Sequence, residues 1–84
     1  MNLHLSQSEE NYLKSIFNLS DLSKSKQINT NLIADDLNTK ASSVTEMIKK
    51  LAEKGLVDYQ KYKGSHLTVD GNRIAIQVIR KHRL

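Results

Sequence analysis

The chain has 84 residues and a formal net charge of +4, with 38% hydrophobic residues and a single Phe, so it has material for one domain whose core is Leu, Ile and Val. It has no cysteine, which excludes disulfides and Cys-based zinc sites, and fits a protein of the cytoplasm. No apolar run approaches the ~20 residues needed to span a bilayer and no signal-peptide pattern is present, so a membrane partner is not expected.

The first periodic segment is "SEENYLKSIFNL". Leu13, Ile16 and Phe17 fall on one helical face, and Glu9 and Glu10 suit the positive end of a first turn. Ser6 or Ser8 is the expected N-cap. The polar stretch "SDLSKSKQINT" reads as a loop. A short helix "TNLIADDL" comes next, with Asn38 placed as a left-handed C-cap. The helix after it carries Val44, Met47, Ile48 and Leu51 at i, i+3, i+4 and i+7, and Gly55 stops it. A short and a longer helix joined by about three residues make a helix-turn-helix, although a helical hairpin in an ordinary bundle gives the same pattern.

The residues after Gly55 separate these two possibilities. "LVDYQ" alternates Val57 and Tyr59 with polar residues, "KYKG" is a turn around Gly64, and "SHLTV" alternates Leu67 and Val69 as a return strand. Thr68 or Asp70 then caps a last helix, "GNRIAIQVIRKHRL", with Ile74, Ala75, Val78 and Ile79 turned inward. The expected fold is mainly α with a small β-hairpin: a winged helix-turn-helix of three helices and a two-stranded wing, with a fourth helix leading out, over residues 1–84.

Charge is unevenly placed along this plan. Residues 1–39 hold 3 basic and 5 acidic side chains, a balance of −2; residues 40–84 hold 10 basic and 4 acidic, a balance of +6. A basic half suits an anionic partner, most simply double-stranded DNA, or is only a solvated lysine-rich surface. Opposite the apolar stripe of the second helix of the pair lie Lys40, Ser42, Ser43, Thr45 and Glu46, with Lys49 and Lys50 further along. Lys61 and Lys63 on the wing are placed to reach neighbouring phosphates. Thr30 and Asn31 open the preceding helix, where backbone N–H groups suit a phosphate.

Enzyme readings find no support: there is no Gly-rich phosphate loop, nucleophile motif or zinc-protease helix. His4 and His66 read as ordinary surface positions, and Tyr12, Tyr59 and Tyr62 are too scattered for a base-stacking platform. Two alternatives stay open. A winged helix can serve as a protein-interaction module instead of reading DNA, and, within DNA binding, it can belong to a regulator that responds to a small organic ligand.

Three motifs in order, "SSVTEMIKKLAEKGLV", "YQKYKGSHLT" and "GNRIAIQVIRKHRL", resemble metal-dependent transcriptional repressors of the diphtheria-toxin-repressor and manganese-transport-regulator type over nearly the whole chain. The resemblance implies an N-terminal DNA-binding domain of a longer protein, a homodimer formed by helices beyond residue 84, a monomer for these 84 residues alone, and repression of metal-homeostasis genes. It implies that Lys40, Ser42 and Glu46 aim at base edges and that Ser43, Thr45 and Lys50 lie nearer phosphates. Many relatives have Ser-Pro where this chain has Lys40-Ala41, so the start of this helix is expected to be less well capped, by ~1 kcal/mol.

The same resemblance implies a divalent metal, iron or manganese, in the full-length protein, with Asn11 and His82 at ligand positions. Asn11 is neither the Met of the iron type nor the Asp of the manganese type, and Lys14 stands where the manganese type has a carboxylate. The 84 residues alone are therefore expected to bind no metal tightly.

Overall fold

The structure, a computed structural model, describes residues 5–23, 27–61 and 63–81. In chain order these form α1 (Gln7–Ser23), α2 (Thr30–Leu37), α3 (Ala41–Glu53), β1 (Val57–Gln60), β2 (Gly64–Leu67) and α4 (Val69–Lys81). The arrangement is mainly helical, with one antiparallel hairpin in which Val57 pairs with Leu67 and Gln60 with Gly64.

Short polar side chains set three of the four helix starts. Ser6 Oγ accepts from the Glu9 N–H at 3.1 Å while Glu9 Oε1 accepts from the Ser6 N–H at 3.0 Å, a reciprocal capping box. Asn29 Oδ1 accepts from the Asn31 N–H at 2.7 Å to start α2. Thr68 Oγ1 accepts from the Gly71 N–H at 3.0 Å to start α4. The exception is α3: Lys40 is its N-cap, in extended backbone, and makes no side-chain cap hydrogen bond. Asn38 ends α2 at φ 53°, ψ 52°, the left-handed conformation expected of it.

Two boundaries differ from those expected of the sequence. Residues 20–23, read as loop, continue α1 to Ser23, because nothing in "SDLS" breaks a helix. The return strand stops at Leu67, and Val69, read as strand, is instead the first residue of α4 and 77% exposed. The Thr68 N–H donates to the Leu56 carbonyl at 3.1 Å, and the Thr68 hydroxyl caps the helix, so the chain turns there.

Leu13, Ile16, Ile33, Val44, Ile48, Leu51 and Leu56 are fully or almost fully buried and make one core with Val57 and Ala75. α1 packs chiefly against α4, and α2 packs on both α1 and α3. Ile28, which falls in no periodic segment of the sequence, is also fully buried. It exchanges backbone hydrogen bonds of 2.8 and 3.0 Å with Ser65 and lays one extra rung beside β2. This explains Gly64: at φ 105°, a Cβ there would sit 2.5 Å from the Ile28 carbonyl oxygen.

Candidate nucleic-acid interface

α3 is amphipathic in a way that leaves one whole face to solvent. Val44, Ile48 and Leu51 are buried and Met47 is half-buried, while Ser42, Ser43, Glu46, Lys49 and Lys50 are exposed. At 3.6 residues per turn, Ser42, Glu46 and Lys49 form the centre line of the exposed face. Ser43 and Lys50 flank it on one side. Thr45, half-buried, flanks it on the other, its hydroxyl donating to the Ala41 carbonyl at 3.1 Å. Lys40 is exposed at the head of the same helix.

The flank that carries Ser43 and Lys50 faces α1 across a cleft of about 330 Å3. Tyr12 and Met47 line it together with Ser8, Ser43, Glu46 and Lys50. Neither the cleft nor a place for Ser8 in it was expected from the sequence; spacing within one helix carries no signal of what stands opposite. Two polar ties fix the helices around it. Ser15, buried on α1, donates to Asp36 of α2 at 2.6 Å, and Lys54, the C-cap of α3, pairs with Glu9 of α1.

At the other end of the basic half, Lys61 and Lys63 are exposed on the hairpin turn, where the Lys63 N–H donates to the Gln60 carbonyl at 3.0 Å. Tyr62 lies outside the described residues. His66, read as surface, has a side chain only 16% exposed and faces Asp58 across the hairpin, Nε2 to Oδ2 3.6 Å. His4 lies outside the described residues. Tyr12 is buried in the core and Tyr59 is half-buried against it, so neither offers a stacking face.

At the start of α2 part of the amide row expected to face a phosphate is taken up within the chain. Asn29, to which the sequence pattern assigned no role, takes up the Asn31 N–H with its side chain, and its carbonyl accepts from the Leu32 and Ile33 N–H groups at 3.1 and 3.4 Å. The side chains of Thr30, half-buried, and Asn31, exposed, remain at that helix start. An Asn immediately ahead of a helical run is the signal that would have found this cap.

Among the described residues, the side chains around Asn11 do not by themselves fit a divalent metal. Asn11 is half-buried on α1 and its Oδ1 accepts from Gln7 Nε2 at 3.4 Å. Lys14, one turn on, brings a positive charge to the same side of the helix. Among the described residues no three His, Cys, Asp or Glu side chains come together as ligands would. His82 lies outside the described residues.

Known proteins share this architecture. Residues 4–65 match the family described as iron dependent repressor, N-terminal DNA binding domain. The HTH-type transcriptional regulator MntR of Oceanobacillus iheyensis is 35% identical over 77 residues, 92% of this chain and 51% of that protein. An uncharacterised HTH-type transcriptional regulator of Methanocaldococcus jannaschii is 40% identical over 79 residues, 94% of this chain and 62% of that protein. The crystal structure of the metal-dependent transcriptional regulator MtsR superposes with a TM-score of 0.76 at 32% identity, covering 89% of this chain and 34% of MtsR. The chain thus spans about half to three-fifths of those two relatives and about a third of the solved structure. On this match, the chain belongs to the iron-dependent repressor family, in the part of it that forms the N-terminal DNA-binding domain.

Proposed function

We propose that this domain binds double-stranded DNA, with α3 in the major groove and the β1–β2 turn against the flanking phosphates, and that it does so as the reading head of a transcriptional regulator. The observation that carries this is the exposed face of α3. A helix that buries Val44, Ile48 and Leu51 and, apart from Ala41 at its head, fills its exposed face with Ser, Glu and Lys suits an anionic surface better than an apolar protein partner, and it continues into a wing bearing Lys61 and Lys63. In this reading Lys40, Ser42 and Glu46 address base edges, with Lys49 beside them on the same face. Ser43, Thr45, Lys50, Lys61 and Lys63 serve the backbone, and Thr30 and Asn31 approach it through their side chains. A regulator of the relatives' length would act in the cytoplasm as a homodimer, repress metal-homeostasis genes and respond to iron or manganese. No described helix is long and apolar enough to cross a membrane.

Titrating labelled mixed duplexes at several salt concentrations tests the reading. With about five phosphates neutralised, log affinity should fall against log salt with a slope of roughly −4 to −5, and Lys63→Ala should reduce that slope by about 1 on every sequence. A slope near zero would remove the backbone contacts from the proposal.

A further inference from the structure

We infer that Glu46 and Lys49 make this domain selective for G·C pairs at two neighbouring steps of its site, Glu46 taking a cytosine and Lys49 a guanine. The inference rests on the DNA-binding reading and adds base identity to it.

The structure puts Ser42, Glu46 and Lys49 along the centre of the exposed face of α3, at i, i+4 and i+7, with Thr45 on its margin toward the backbone. That is the spacing by which a helix lying in the major groove turns one face to base edges. Lys49 therefore belongs with the base readers rather than with the phosphate contacts. Opposite it on the wheel, Val44, Ile48 and Leu51 are fully or almost fully buried and hold this face outward.

Chemistry then assigns the bases. An ionised carboxylate only accepts hydrogen bonds, and in the major groove cytosine is the base that shows its N4 donor without a neighbouring acceptor. Adenine offers a donor but sets N7 beside it, which repels a carboxylate; guanine offers acceptors alone. The ammonium of Lys49 only donates, and the paired O6 and N7 acceptors of guanine suit it best. Glu46 and Lys49 are three residues apart, roughly 4.5 Å along the helix axis, against roughly 3.4 Å for one base-pair step, so the two side chains are spaced to reach neighbouring pairs.

Carboxylates are normally driven off DNA by its phosphates. Here Glu46 is flanked on the helix by Lys49 at i+3 and Lys50 at i+4, and Lys50 lines the same side of the α1–α3 cleft as Glu46. Two cations beside one anion offset the repulsion and leave the carboxylate usable as an acceptor. Ser42 and Thr45, with small hydroxyl side chains, let the helix come close enough for Glu46 to reach, and the Ser42 hydroxyl can meet any base, so it adds little choice of its own.

Selection of binding sites from a randomised duplex library by the 84-residue chain, at low salt, tests this. The natural chain should enrich two neighbouring G·C pairs. Glu46→Gln should move the selected base at one position from cytosine to adenine, because an amide can pair with N6 and N7 of adenine together. The expected preference is roughly 5- to 150-fold. Lys49→Ala should relax only the guanine position. Loss of the Lys49 cation should weaken binding to non-specific duplex and loss of the Glu46 carboxylate should strengthen it, so base preference is read as the ratio of specific to non-specific binding for each variant. An unchanged selected sequence in both variants would overturn the assignment while leaving DNA binding intact. Failure of the natural chain to bind any duplex at low salt would overturn the DNA-binding reading and this inference with it.

Discussion

Lys54 Nζ lies 2.5 Å from Glu9 Oε2, joining the residue that ends α3 to the first turn of α1. The Glu9 side chain is 10% exposed and that of Lys54 33%. The other Glu9 oxygen is already committed to the Ser6 N–H, so one carboxylate both starts α1 and holds the far end of the proposed reading helix. A largely buried carboxylate with two partners is well satisfied, and losing either partner leaves a charge that water reaches only in part.

Acidification should expose this tie. Burial of the Glu9 carboxyl works against its charged form, but the hydrogen bond from Lys54, the hydrogen bonds from Ser6 and the Lys54 charge outweigh it and hold the group below its ordinary value of 4.5. The folded-state value is thus the lower of the two. The contribution is complete above the unfolded-state value and is lost as pH falls through the folded-state value. Glu9→Gln keeps an acceptor for the capping box and removes the charge, at a cost of roughly 1 kcal/mol at neutral pH, since Lys54 is partly screened by water. The Tm of the natural chain should fall more steeply below about pH 4.5 than that of Glu9→Gln. Parallel Tm curves for the two would show that the pair adds no net stability.

How far the sequence could be read depends on the range of each signal. Val44, Met47, Ile48 and Leu51 repeat at a helical period, and Asn38 and Gly55 stand at stops, so α2 and α3 were legible from neighbours in the chain. Ile28 was not, because its burial comes from a single rung with Ser65, thirty-seven positions away. Val69 was misplaced because two alternations, Leu67 and Val69, cannot separate the last residue of a strand from the first of a helix. At the candidate site, the outward face of α3 was visible as the complement of its apolar stripe. The cleft against Ser8 and Tyr12, and the tie from Glu9 to Lys54, arise from tertiary packing that no local period encodes.

Gly71 is the most constrained position of the α4 start. A Cβ there would lie 1.8 Å from the Leu56 carbonyl oxygen, an atom already held by the Thr68 N–H. Gly71→Ala must push α4 away from the start of the hairpin, and overpacking of this kind costs roughly 2–3 kcal/mol, or ~10–20 °C in Tm for a domain of this size. Gly55, at φ 77°, has open space around its Cβ position, so Gly55→Ala should cost only the left-handed backbone, about 1 kcal/mol. Thermal unfolding of both variants checks the order; equal losses would mean that the Leu56 contact yields easily.

Lys40 sets stability against binding. It occupies the N-cap of α3 in extended backbone and caps nothing with its side chain, and its charge stands at the positive end of the helix. Lys40→Ser should supply the missing acceptor and raise stability by roughly 1 kcal/mol. It should also weaken binding to DNA, since one cation is removed from the head of the reading helix. Denaturant unfolding and fluorescence anisotropy on the same protein measure the two effects. A variant that is more stable and binds equally well would show that Lys40 stands clear of the DNA.

Metal should leave this chain's DNA affinity unchanged. On α1 the only donor at a position implied for a ligand is the Asn11 amide oxygen, which is neutral and already accepts from Gln7. Lys14 adds a positive charge one turn further along, which repels a cation approaching that face. Imidazole suits several first-row metals, so His82 is the other candidate, but one amide and one imidazole fall short of the four to six donors of a specific site. Calorimetric titration of the chain with manganese(II), iron(II) and cobalt(II), alongside anisotropy on duplex DNA with and without each ion, should find no tight site and no change in affinity. A stoichiometric, sub-micromolar site that disappears in His82→Ala would contradict this. It would mean that α1 and the end of the chain assemble a regulatory centre by themselves, with Asn11 released from Gln7 to take part.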